Sequence, residues 1–381
     1  MVNYINGAIK EAIAKGSALK AKIPGARDLG IYFSSLATTA EREIDAIIDA
    51  LDYLYANSDY NDPINIREKF SRFKYLSGQL SEIENVVIAA MSRKANDDEF
   101  VNKLVYEICK EINYPLQAPV ASCLSQKYYH IYPPYNLICI PLLESEFLLH
   151  ISDIYHELGH PLLAINNPKI EPFKNSLGRF NRDVRKYFDD EINRRELNRS
   201  ISSDFDPIYV WKDSWLENWS TEFFCDLFAT YTLGPAYAWS NLHMCTKMSW
   251  EIYKIPTFQK ISHPPDEARM RAILLGLELT GFSAEKAEIE LKWDEFKIIV
   301  GQKKSNDFSI AVPDKLLRQA AEFCLVGTKQ IGCEIAAPDS QKKVNFLLNN
   351  SWKEFWKNPE DFYTWERQAV VDFKDILNKT Q

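Results

Sequence analysis

No run of this sequence approaches the roughly 18–20 uninterrupted apolar residues that a membrane span requires, so no spanning segment is expected. The first residues, "MVNYINGAIKEAIAKGSALKAKIPG", show neither a continuous apolar stretch nor a cleavage site, so a secretory signal is not expected. There is no CxxC pair. The seven cysteines are an odd and scattered set, which reads as buried thiols in a reducing compartment rather than a disulfide framework. A cytoplasmic protein is the expectation. A basic surplus is also missing: the formal net charge of −8 argues against a dedicated nucleic-acid binder. GxSxG, P-loop and GxGxxG signatures are absent, so chemistry must be sought elsewhere.

What is present is a folded composition, 46% hydrophobic and 13% aromatic over 381 residues, enough for two or three structural units. From about 38 to 112 the pattern is helical, with Thr38 and Glu41 as a capping box ahead of Ile44, Ile47, Leu51 and Leu54. The texture changes near 118. Leu137–Ile140, stopped by Pro141, reads as a short strand, and the proline places it at a sheet edge. Residues 179–199 mix both charge signs at the spacing of a solvated helix with i,i+4 ion pairs. Further helices are expected over 214–232, over 284–297 behind Ser283, after Pro313, and after Asn358–Pro359–Glu360–Asp361. The chain is thus expected to be mostly α (α+β): a helical N-terminal region over 1–117, a core over 118–280 with a small β-sheet, and a helical C-terminal region over 281–381.

Within that core lies "IYHELGHPLL", residues 154–163. On a helix, His156 and His160 project from one face and can converge on a single ion, with Zn–N distances of about 2.0–2.1 Å. Glu157 stands to one side of that face, placed to act on a metal-bound water as a general base rather than as a ligand. A catalytic zinc needs a third protein ligand. Downstream, "STEFFCDLFA" aligns Glu222 and Asp226 one turn apart on an otherwise apolar helix, where carboxylates are costly to bury unless paired or bound to metal. Glu222 is read as the third ligand. Asp226 is read as the acceptor for a ligand histidine's free ring N–H. Glu217 is a rival ligand that points away from this face, whereas His130, His150, His243 and Cys245 read as structural.

The combination of His156-Glu157-Leu158-Gly159-His160 with Glu222-Phe223-Phe224-Cys225-Asp226 resembles the gluzincin zinc metallopeptidases. Ser262-His263-Pro264-Pro265-Asp266-Glu267-Ala268-Arg269 resembles the "HP…R" element of the branch holding the CAAX prenyl proteases and membrane heat-shock proteases. Those relatives are membrane proteins, and this chain lacks their spans, so it looks like a soluble relative. The similarity covers about 128–275. It implies a zincin-like core and one Zn2+ per chain held by His156, His160 and Glu222. It also implies cleavage of a peptide or protein substrate with Glu157 as base. His263 is expected to assist catalysis as a donor to the developing oxyanion, and Arg269 to brace Asp226 or the substrate backbone. Such enzymes hold an extended peptide against a sheet edge, a use for Leu137–Ile140. The helical flanks suit a protein partner, and the competing class is a non-cleaving or gated binding protein that keeps structural zinc.

Overall fold

The computed structural model describes residues 2–62, 65–92, 96–125, 128–141, 147–197, 207–248, 251–340 and 342–379. Among them the chain is mostly helical, with one three-stranded sheet. It divides into two compact units, Met1–Asn102 with Pro119–Leu142 and Lys103–Ala118 with Leu143–Gln381.

The first unit contains α1 (Val2–Lys20), α2 (Ala26–Ala56), α3 (Ile66–Glu82), α4 (Ala89–Ser92) and the start of α5 (Asn96–Glu111). Ile5 and Ile9 of α1, Ile44, Ile47 and Leu51 of α2, and Leu80 of α3 lie at helical spacing and share one buried core. The helix expected to begin at Thr38 begins earlier. α2 passes through Thr38, whose hydroxyl donates back to the Ser34 carbonyl at 3.1 Å. The buried series Phe33, Leu36, Ala37 and Ala40 extends the apolar face upstream, so packing overrides the capping signature. The irregularity in α2 falls instead at Gly30, with φ 69°.

The sheet has the order β1 (Val120–Ser125), β3 (Leu137–Pro141), β2 (His130–Tyr132). β3 runs parallel to β1, with Val120 opposite Leu137, and antiparallel to β2, with Ile131 opposite Ile138. The strand expected at an edge is therefore the central one, and Leu137–Ile140 cannot receive an added peptide strand. Pro141 is tolerated because it is the last residue, past a break in the β1 register between Ser122 and Ser125. The outer edge of β1 is met by α5: Asn102 exchanges two hydrogen bonds with the Ala121 backbone, and Asp98 accepts the Cys123 N–H at 2.7 Å.

The second unit continues from α5 through α6 (Asp153–Ala164), α7 (Glu171–Leu197), α8 (Ile208–Ser214), α9 (Ser220–Leu233) and α10 (Pro235–Met248). It then adds α11 (Asp266–Leu279), α12 (Ser283–Val300), α13 (Phe308–Ala311), α14 (Asp314–Gln330), α15 (Lys343–Lys357) and α16 (Phe362–Lys379). α9 is its axis. Nearly every side chain of α9 is buried, and α6, α7, α11 and α14 pack against it. The compact units do not follow the three regions read from the sequence: the strands join the N-terminal helices, and the helices beyond 281 share a unit with α6 and α9. α7 is amphipathic, with Phe173, Phe180, Val184 and Phe188 inward, while a largely covered Glu191 pairs with Arg195 and the exposed Arg194; residues 198 and 199 lie outside the described ones. All seven cysteines are buried free thiols. Among the described residues no helix is long and apolar enough to cross a membrane.

Candidate metal centre

The site, which lies wholly in the second unit, is built on the contact between α6 and α9. Gly159 makes that contact close: a Cβ there would stand 2.9 Å from the Cys225 Cα, so any larger residue would push the helices apart. A π-helical turn, Trp215–Trp219, leads directly into α9, and such turns re-aim the side chains that follow.

Across this contact the histidines of α6 meet the carboxylates of α9. The His156 Nε2 lies 3.5 Å from the Glu222 Oε2, and the His160 Nε2 lies 4.0 Å from the Glu222 Oε1. The two imidazoles are 5.1 Å apart at 74° to one another. Behind them Asp226 is completely buried, and its Oδ1 stands 2.8 Å from the His156 Nδ1. That bond keeps a proton on Nδ1, so the proton that a metal would displace is the one on Nε2, the nitrogen that faces Glu222. Arg269 of α11 donates to Asp226 twice, Nε to Oδ2 at 2.8 Å and Nη2 to Oδ1 at 2.6 Å. Of the two roles open to Arg269, the geometry spends the side chain on Asp226.

The electrostatics follow from these pairings. Burial disfavours the charged form of His156, but Asp226 and Glu222 outweigh it and push the imidazole up to about 10. Burial likewise opposes ionisation of Glu222, yet His156, His160 and Arg269 pull it down to about 2. Asp226 is opposed by burial and held well below the usual carboxylate range by Arg269 and His156. Both acids are therefore ionised in the interior.

Glu157 is buried, 8% exposed, one residue beyond His156. His263 lies before α11 with its Nε2 3.8 Å from the Glu222 Oε2, and it is the exposed member of the group at 64%. Its segment is anchored by indoles: the Trp219 Nε1 donates to the Ile261 carbonyl at 3.0 Å, and the Trp211 Nε1 to that of Pro256 at 2.7 Å. Glu217 pairs with Lys260 on the surface. His243 packs edge-on against His150 and Trp352, and His130 lies against Tyr132 in the first unit.

Two residues at the site escape the sequence reading. Tyr237 of α10 donates to the Asp226 Oδ1 at 2.5 Å and lies 3.1 Å from the His156 Nδ1. A tyrosine in an apolar helix signals a need for a hydroxyl partner, but not which one. Cys225 is the other. Its sulfur and one ring nitrogen each of His156 and His160 fall within 4.8 Å of one another. Burial, then the charges of Glu222, Asp226 and Glu157, push its thiol well above its ordinary value. Glu222 is already ionised and turns one oxygen toward each of the two Nε2 atoms, which favours it as the third donor.

No protein-family model, curated protein or solved structure matches this chain. The site must be read from its own chemistry. The Glu222 Oε2 is buried with no well-formed hydrogen bond; its polar neighbours are the His156 Nε2 at 3.5 Å and the His263 Nε2 at 3.8 Å, both long for a charged oxygen. A cation between it and the two Nε2 atoms would satisfy it. Two imidazoles and one carboxylate form the donor set of a zinc ion that keeps a position open.

Proposed function

We propose that the protein is a zinc-dependent endopeptidase with a gluzincin-type centre and a zincin-like core. The observation that carries this reading is the buried Glu222 carboxylate, which turns Oε2 toward the His156 Nε2 and Oε1 toward the His160 Nε2 at distances too long for good hydrogen bonds. In this reading His156, His160 and Glu222 hold one zinc per chain. Zinc, when bound, supplies a Lewis acid that polarises the scissile carbonyl and acidifies a water.

The remaining work belongs to the protein's own groups. Glu157 takes the proton from the attacking water and returns it to the leaving amine. His263 reaches the developing oxyanion from the solvent side of Glu222. Asp226 keeps the His156 proton on Nδ1, and Arg269 and Tyr237 hold Asp226 so that its carboxylate cannot turn away. The buried thiols support a reducing compartment, so the proposed setting is cytoplasmic. The substrate is a peptide or protein.

Purified protein incubated with a denatured-protein mixture should generate chelator-sensitive new termini, and Glu157→Gln should abolish them while keeping zinc and fold. Cleavage by Glu157→Gln at the wild-type rate would remove Glu157 from its role as base. Zinc retained with no cleavage by the wild type would favour a non-cleaving binding protein.

A further inference from the structure

A cleft of about 640 Å³ lies in the second unit with walls from α12 and α15 and Trp239 of α10 in its lining. That volume is in the range of small-molecule sites. Its walls carry opposite charges. Glu285 and Glu288 lie three residues apart on one face of α12, and Lys353 belongs to α15. Within the chain none of these three makes a hydrogen bond or ion pair among the described residues. Three unpaired charges around one concavity are charges available to something else.

Part of the lining is aromatic, including Trp239, Trp352 and Trp356. Trp239 stands 5.0 Å from Trp356 and is stacked on Trp352 at 6.3 Å, ring centre to ring centre. Trp352 is only 2% exposed, and its indole N–H, like that of Trp356, has no acceptor. Buried indole N–H groups ordinarily find one. The Trp356 ring also has an ammonium 5.5 Å from its centre, that of Lys292, one turn beyond Glu288 on the same α12 face. This aromatic cluster is therefore already compatible with a cation.

We propose that this cleft binds a zwitterionic ligand of amino-acid or short-peptide size with an aromatic side chain. Its ammonium group sits at Glu285 and Glu288, its ring lies against Trp356, the part-exposed member of the cluster, and its carboxylate meets Lys353. The proposal stands apart from the metal centre, and its success or failure leaves the peptidase reading untouched.

The test is calorimetric titration of the full-length protein with phenylalanine and with glycylphenylalanine, which separate a free amino acid from a peptide. At least one should bind. N-acetylphenylalanine and phenylalaninamide, each lacking one charge, should bind about tenfold more weakly than phenylalanine, or than glycylphenylalanine if only the peptide binds. The double variant Glu285→Gln/Glu288→Gln should lose discrimination against the acetylated form, and Lys353→Met against the amide. These substitutions lie on the cleft walls, away from the metal centre, so binding of amino acids to a metal would survive them. Three results would overturn the proposal: no binding of either parent ligand up to about 10 mM, equal binding of a blocked form, or binding indifferent to the variants.

Discussion

Asp226→Asn tests whether the buried carboxylate organises the centre. Asp226 is fully buried, and its Oδ1 faces three groups: Arg269 Nη2 at 2.6 Å, Tyr237 Oη at 2.5 Å and His156 Nδ1 at 2.8 Å. Its Oδ2 takes the Arg269 Nε at 2.8 Å. An amide of the same shape must place its oxygen where three donors converge, which turns its NH2 group against the Arg269 Nε. The buried guanidinium then loses its counter-charge and faces a donor. Removing one partner of such a pair costs about 3–5 kcal/mol, so the denaturant midpoint of the metal-free protein should fall by a matching amount. Loss of the carboxylate behind a ligand histidine should weaken metal retention about 10–100-fold, read by competition with a weak chelator. The double variant Asp226→Leu/Arg269→Met removes both charges and should recover much of the stability without recovering the metal, because leucine offers the His156 Nδ1 no acceptor. Wild-type stability together with wild-type retention in Asp226→Asn would refute the reasoning.

Two further outcomes follow from the same geometry. The His156 contribution to stability of the metal-free protein is complete below its unfolded value of 6.5 and is lost as pH rises through about 10. The Glu222 contribution is present above 4.5 and lost as pH falls through about 2, so this site stabilises most between pH 4.5 and 6.5. Urea midpoints that rise from pH 7 to 10 in His156-intact protein, but not in a His156→Ala variant, would contradict it. His263→Ala should lower kcat and kcat/KM together by roughly 10²–10³ with zinc content unchanged, as for an oxyanion donor; a change in KM alone would assign it to substrate binding.

Much of the centre was legible because helical spacing alone fixes which side chains share a face. His156 with His160, and Glu222 with Asp226, are each one turn apart, so two short motifs suffice to propose the cluster. Tyr237 was not legible: it belongs to a third helix, and only tertiary packing brings its hydroxyl to Asp226. Arg269 was visible through the HP…R resemblance, but choosing between its possible partners required the packing of α11 on α9. The sheet misled for a local reason. Pro141 suggested an edge, while the unbroken apolar run Leu137–Ile140 was the better sign, since a central strand is covered on both faces. The start of α2 was misplaced because a capping-box pattern inside a continuous apolar stripe does not stop a helix.

The central claim is that His156, His160 and Glu222 hold a metal ion, and elemental analysis of protein never exposed to chelator tests it most directly. The account predicts about one zinc per chain in the wild type, most of it lost in His160→Ala and in Glu222→Gln. Wild-type protein without zinc, or a Glu222→Gln variant that keeps its full complement, would contradict it.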